Sequence, residues 1–374
     1  MKNEGARLKN SSLFILLCSL ALLVGLGCSA LRLPHRISTG WGTPADSPIA
    51  GLPDPGQPGP YAVGVTRWTF TRPSTTTGQP RVLNALIWYP ASAAATASPP
   101  ADPRLGAPLD AEPDRRGQPY PVVVFSHGSG GSPLGYTYFA THLASHGFVM
   151  VAPPHPGNTS ADCPSPCLAS VPAARPSILD SALNRPDDVV FALEQAASLS
   201  ASGDPILAGL LDGDRSGVAG HSFGAWTTLQ VVARDHRFRA GLAMATALGP
   251  ATAQAVSNIQ APVMLMAGAL DDLVPLPSIE ALYATFGANG PEHWLVALPR
   301  GGHLAFSNQC PPNRAGCGPN DLPQERAHAL INRWTAAFLL RHVAGDERYA
   351  ALLDPAPAEG DPEVQVSAAA LTRP

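Results

Sequence analysis

The sequence predicts an α/β fold: a mostly parallel central sheet, antiparallel strands at its amino-terminal side, and helices on both faces. Three observations carry this. Six short runs, "PVVVFSH", "FVMVAPPH", "SGVAGHS", "AGLAMATAL", "PVMLMAGAL" and "HWLVALP", are almost wholly apolar, as strands covered on both faces are. Helical stretches such as "YTYFATHLASHG", "PDDVVFALEQAASL" and "AWTTLQVVARD" separate most of them, which implies parallel strands joined by right-handed crossovers. Upstream, "YAVGVTRWTFTRP" and "RVLNALIWYPAS" alternate apolar with polar residues and read as antiparallel strands.

The elements fall in one continuous domain, residues 61–345, without internal repeats. Residues 91–119 are Ala- and Pro-rich and read as a surface loop. The last element, "QERAHALINRWTAAFLLRHV", is a long amphipathic helix that closes one face. Hydrophobic residues make up 45% of the 374 and charged ones 14%, enough for a large core. The net charge of −4 and the lack of a Lys/Arg block argue against a nucleic-acid partner.

The ends differ from this domain. Lys2, Arg7 and Lys9 precede an apolar run from Leu13 to Gly27, too short for a span and flanked as a signal peptide is, over residues 1–30. "GLGC" places Cys28 where a lipoprotein carries its lipid, which would anchor the chain to a membrane, and "CSA" ending at Ala30 suits ordinary cleavage; both stay open. Either way the protein is expected to be exported, free or lipid-anchored at the cell envelope. Residues 31–60 are Pro- and Gly-rich and read as a tether. Residues 346–374 resemble them in composition and read as a tail. Beyond Cys18 and Cys28 there remain Cys163, Cys167, Cys310 and Cys317. Four cysteines in an exported chain point to two disulfides, and the short spacings favour Cys163–Cys167 and Cys310–Cys317. A four-thiolate zinc site is the weaker alternative, since neither pair has the two-residue spacing. No cofactor or metal is expected.

In a parallel sheet, reactive groups belong on the loops after the strands. Ser222 lies there, in "GHSFG", between an apolar run and a helical one. A serine nucleophile needs a tight turn that exposes its hydroxyl, with small flanking residues. It also needs a base, and the order expected is serine, acid, histidine. His303, in "ALPRGGHLAF", follows the last apolar run behind two glycines that give it a flexible approach. The acid comes from "GALDDLVP": Asp271 is the better placed, four residues before Pro275, with Asp272 as the fallback. Two backbone donors are needed for the oxyanion. Phe223 follows the serine, and Ser129 sits in the glycine loop "FSHGSGGS". That loop lacks the Lys-Ser/Thr pair of a phosphate loop.

With these residues named, the stretch from Tyr61 to Val343 resembles the α/β-hydrolase fold. "FSHGSGG", "LASHGFVMVAPPHPGN", "GHSFG" and "GGHLAF" look like the plasma-type platelet-activating factor acetylhydrolases and the bacterial predicted dienelactone hydrolases. The resemblance implies a calcium-independent serine esterase with Ser222, Asp271 and His303 as triad. It implies the N–H groups of Ser129 and Phe223 as oxyanion hole, and a short-acyl ester or acetyl-phospholipid-like substrate. True dienelactone hydrolases use a cysteine nucleophile, and this chain has Ser222. Cutinase-like polyesterases are similar in their amino-terminal strands but carry aromatic anchors that "HGSGG" and "AMATALGPAT" lack, with Trp226 and Tyr136 as substitutes from elsewhere in the chain. A surface binding protein with this fold and no catalysis is the reading from another class, and the filled triad positions argue against it.

Two insertions are placed to shape the pocket. Residues 155–185 are too long for a turn and read as a small lid, followed by a helix with Pro186 in its first turn and Asp187 and Asp188 near its positive end. The other, "SNQCPPNRAGCGPNDLP", follows His303 directly.

Overall fold

The computed structural model describes residues 37–39, 52–97, 99–163, 167–168, 170–246, 250–287, 290–353 and 362–369. Its strands are β1 (Ile37–Thr39), β2 (Ala62–Pro73), β3 (Pro80–Ala91), β4 (Tyr120–Ser126), β5 (Val149–Ala152), β6 (Leu211–His221), β7 (Phe238–Met244), β8 (Val263–Gly268), β9 (His293–Leu298) and β10 (Gln365–Ala369). The helices are α1 (Thr137–Ser145), α2 (Arg175–Ala201), α3 (Phe223–Val232), α4 (Pro250–Val256), α5 (Leu276–Thr285) and α6 (Gln324–His342). The strands form one sheet in the order β1-β10-β9-β8-β7-β6-β4-β5-β3-β2. From β9 across to β5 all neighbours are parallel. The hairpin β2–β3 lies antiparallel beside β5. This is the α/β-hydrolase arrangement that the sequence predicts.

Strand alternation sorts the core into two layers. Val123 and Phe125 of β4 join Leu242, Met264 and Val296 on one face, under α1 and α6, where Phe139, Trp334 and Phe338 pack. Val122 and Val124 join Val218, Ala243 and Leu265 on the other face, with Val189 of α2, Leu229 of α3 and Ile279 of α5. Both faces are covered, which is why the runs carry so few polar residues.

The structure departs from the sequence reading at three places. Helix α2 begins at Arg175 and holds Pro186 in its interior, so Asp187 and Asp188 are mid-helix and not near its positive end. Their charges are met by Arg72, Arg81 and Arg234 instead. A proline costs the helix one backbone bond, and the buried contacts of Asn184, Arg185 and Asp188 hold it on either side. Of the segment 155–185, the residues from Arg175 onward are accordingly helix. The segments read as tether and tail also contribute to the domain. Val366 of β10 sits opposite Val296 of β9, and β1 pairs with β10. Ahead of β2, the rings of His142 and His146 donate to the carbonyls of Pro55 and Gln57, each at 2.8 Å, and Gly59 N–H donates to Ser145 Oγ at 2.8 Å. A strap held through its backbone leaves no hydrophobic period to read. The signal segment 1–30, with Cys28, lies outside the described residues. Among the described residues, no helix is long and apolar enough to cross a membrane.

Candidate active site

Strand β6 ends at His221, and Ser222 turns the chain into α3 with φ 56° and ψ −117°. A serine seldom holds a positive φ unless its surroundings dictate it. Here two glycines do. A Cβ on Gly220 would lie 2.3 Å from the Gly224 carbonyl oxygen, and one on Gly224 would lie 1.8 Å from that of Ser126. The elbow thus packs backbone on backbone against the end of β4.

Three distant loops converge on the Ser222 hydroxyl. His303, after β9, places Nε2 at 2.9 Å from Ser222 Oγ and Nδ1 at 2.7 Å from Asp271 Oδ2. Asp271, after β8, is buried, and its Oδ1 accepts the amides of Leu273 and Val274, both at 2.8 Å. The carboxylate is therefore fixed before it meets the imidazole. Asp272 is elsewhere: half exposed, it lies 3.6 Å from Arg314. Of the two adjacent acids, only Asp271 reaches the histidine.

The glycines before His303 act through close packing, rather than through flexibility. A Cβ on Gly302 would fall 1.8 Å from the carbonyl oxygen of Ala315, and one on Gly301 would press on Leu298 at 3.0 Å. The loop carrying Ala315 is closed by the Cys310–Cys317 disulfide. The second disulfide joins Cys163 to Cys167, and Cys167 Cβ would meet a Cβ on Gly130 at 2.8 Å. All four thiols expected to pair do so, in the two local pairings.

Ser222 and His303 open onto a cleft of about 410 Å³, lined also by Ser129, Tyr136, Cys167, Leu168, Leu273 and Arg314. Both disulfide-bearing loops therefore reach the mouth of the site. Tyr136 lines the cleft as the sequence suggested; Trp226 packs on Phe223 instead, with ring centroids 5.4 Å apart. Phe223 opens α3, where backbone N–H groups lack an intrahelical partner. Among the described residues, no cluster of His, Cys, Asp and Glu is arranged to hold a metal ion.

A second Ser-His-Asp chain lies behind the glycine loop, unforeseen from the sequence. Ser126 Oγ donates to His155 Nε2 at 2.8 Å, and His155 Nδ1 donates to Asp188 Oδ2 at 2.9 Å. All three residues are fully buried. Burial, and then the charge of Arg185, lower the His155 pKa to about 4 against the opposing pull of Asp188. Burial works to raise the Asp188 pKa, but hydrogen bonds from His155 and Arg81 leave it well below the usual carboxylate range. Ser126 is fully buried and is not among the residues lining the cleft of Ser222, so this chain braces the loop from behind. The three residues are far apart in sequence, and only the topology brings them together.

His221, inside "GHSFG", is also buried and held neutral, by desolvation first and His303 second. Its Nε2–H donates to the carbonyl of His303 at 3.0 Å, leaving Nδ1 to accept the Tyr136 hydroxyl at 2.9 Å. Tyr136 in turn accepts the Gly128 N–H at 3.1 Å. This relay ties the glycine loop to the loop of His303.

Known proteins share this architecture. The chain is similar to the platelet-activating factor acetylhydrolase of Cavia porcellus, 29% identical over 271 residues, 63% of this chain and 61% of that protein. It is 28% identical to the Bos taurus platelet-activating factor acetylhydrolase over 180 residues, 41% of this chain and 40% of the relative. The chain thus spans less than two thirds of these relatives' length. A ferulic acid esterase from Streptomyces cinnamoneus has the same fold, with a TM-score of 0.61 at 24% identity, covering 81% of this chain and 96% of that one. A family model described as PETase, PET hydrolase-like, matches residues 113–370. That match runs from the approach to β4 through the glycine loop, the elbow and the loops of Asp271 and His303 to β10, and by it the chain belongs to the PET hydrolase-like family of α/β-hydrolase esterases.

Proposed function

We propose that the protein is an exported serine esterase that cleaves carboxylic esters through Ser222, His303 and Asp271. The observation that carries this is the hydrogen-bonded run Asp271–His303–Ser222, ending in a cleft. Ser222 Oγ attacks the ester carbonyl carbon as His303 Nε2 takes its proton, and Asp271 holds the imidazole and offsets its new positive charge. The N–H groups of Ser129 and Phe223 receive the oxyanion of the tetrahedral intermediate. Collapse breaks the C–O bond, and His303 returns the proton to the departing alkoxide. Water, deprotonated by the same histidine, then attacks the acyl-serine and releases the acid.

The preferred ester is a small one with a short acyl chain, of the acetyl-phospholipid kind, in keeping with the acetylhydrolase likeness and a cleft of about 410 Å³. Polyester cleavage is the second reading, favoured by the family match. The signal-like segment 1–30 and the two disulfides support export, with anchoring through Cys28 as one form of it. The test is Ser222→Ala: folding is retained and hydrolysis of short p-nitrophenyl esters falls to background. Undiminished turnover would overturn the proposal. A panel of acyl lengths, an acetyl-phospholipid and a polyester film ranks the substrates.

A further inference from the structure

Resting on that reading, we propose that Arg185 is a positioning residue for the oxyanion hole. Its side chain is fully buried beneath the glycine loop. Nη1 donates to the His127 carbonyl at 2.5 Å and to Ser126 Oγ at 3.4 Å. Nη2 donates to Asn158 Oδ1 at 2.5 Å and to the Gly128 carbonyl at 3.5 Å, and Nε donates to Ser181 Oγ at 2.9 Å.

The consequence lies in peptide geometry. In a trans peptide the C=O and the following N–H point in opposite directions. Holding the Gly128 carbonyl on the Arg185 side therefore turns the Ser129 N–H away from it, toward the cleft. Two more donors act on the same carbonyl, His127 Nδ1 at 2.7 Å and Gly131 N–H at 3.1 Å. Holding the His127 carbonyl likewise turns the Gly128 N–H toward the Tyr136 hydroxyl, which it meets at 3.1 Å. Asn158, fixed by Arg185, accepts the Gly130 N–H on its own carbonyl at 3.2 Å and contacts Ser129 Oγ. The guanidinium also lies over the Phe223 ring, 4.5 Å from its centroid, so the residue supplying the second N–H rests on the same group.

Stability alone does not account for this arrangement. All five of these hydrogen bonds go to neutral oxygens, and a guanidinium buried without a directly bonded carboxylate is costly. Asp188, the nearby acid, is engaged by Arg72, Arg81 and His155. What the placement provides is a fixed positive charge and a rigid fork behind both oxyanion donors, prepared before negative charge develops on the substrate.

The experiment compares wild type with Arg185→Met and Arg185→Lys, using a short p-nitrophenyl ester. Inhibition is measured with a trifluoromethyl ketone, whose adduct with Ser222 places an oxyanion in the hole, and with the product alcohol, which has no carbonyl or carboxylate oxygen to place there. For Arg185→Met, kcat is expected to fall roughly 10- to 100-fold, below the loss for deleting an oxyanion donor outright, with KM and product inhibition little changed. Ketone affinity should fall by a similar factor, and Arg185→Lys, which keeps the charge without the fork, should be intermediate. If Arg185→Met does not fold, Arg185→Lys decides, through the same split between ketone and product alcohol. A folded variant with wild-type kcat and ketone affinity would overturn the inference, as would an equal loss toward both inhibitors. Failure of the reaction reading itself is distinguishable: Ser222→Ala would then retain turnover and still bind the ketone.

Discussion

The Nε2–H of His221 donates to the backbone carbonyl of His303 across 3.0 Å. The residue beside the candidate nucleophile thereby fixes the main chain of the candidate base, while its other nitrogen accepts Tyr136. Replacing His221 by Phe leaves the Tyr136 hydroxyl and the His303 carbonyl without this partner. We expect kcat to drop roughly tenfold, short of the hundredfold that a 1 Å misplacement can cost. Urea unfolding should register a loss of about 1–3 kcal/mol for buried groups left unpaired.

The adjacent acids separate by mutation. Asp271→Asn removes the charge that orients His303 and should lower kcat by roughly ten thousandfold, with little change in KM. Asp272→Asn should leave kcat within about threefold of wild type, as expected for an exposed ion pair. Steady-state kinetics of the two variants checks this.

The two Ser-His-Asp chains are told apart by a fluorophosphonate probe. Labelling should be lost in Ser222→Ala and retained in Ser126→Ala. The latter should instead lose about 1–3 kcal/mol of stability, the cost of an unsatisfied buried group.

Acid should weaken the fold before it protonates most carboxylates. Burial lowers the pKa values of His142 and His155 to about 4 and that of His342 to about 3. In the unfolded chain these groups titrate near about 6.5. Between those values the unfolded state binds more protons than the native one, so stability is full above about pH 6.5 and declines as pH falls toward 4, by about 1.4 kcal/mol per pH unit for each proton taken up. Urea midpoints from pH 7 to pH 4 measure the slope, and His142→Gln should make it shallower.

Gly302→Ala introduces a methyl where the Ala315 carbonyl already stands. The loop bearing His303 must then shift, and kcat should fall about a hundredfold. The double variant Cys310→Ser, Cys317→Ser loosens the neighbouring loop without that clash and should be milder. Thermal melts alongside kinetics separate the two effects.

What the sequence made legible was local. The six apolar runs identified the parallel strands because both faces are covered, and "GHSFG" marked the elbow because its glycines admit no side chain. Asp271 stood out from Asp272 by its distance from Pro275, and the structure gives it the two amides that fix its carboxylate. The rest depends on contacts across the fold. Pro186 concealed the first half of α2, since a proline ordinarily opens a helix and here sits inside one. The strand Gln365–Ala369 was hidden in a stretch that has no partner until β9 is in place. Arg185 was only the last residue of the segment 155–185, ahead of the helix; its burial follows from Ser126, His127, Gly128 and Asn158, none close to it in sequence.

The glycine packing at the elbow also bears on how such an enzyme can change. Gly220 and Gly224 are pressed against backbone, and Ser126 holds one of them with its carbonyl while its hydroxyl heads the closed chain behind the loop. The cleft therefore has a fixed base at Ser222, whose flanking Gly220 and Gly224 admit no side chain. Its walls are different: Leu168, Leu273 and Arg314 extend from surface loops, two of them stapled by a short disulfide. Adaptation to a bulkier or longer ester, in nature or in the laboratory, therefore has its free variables in those walls.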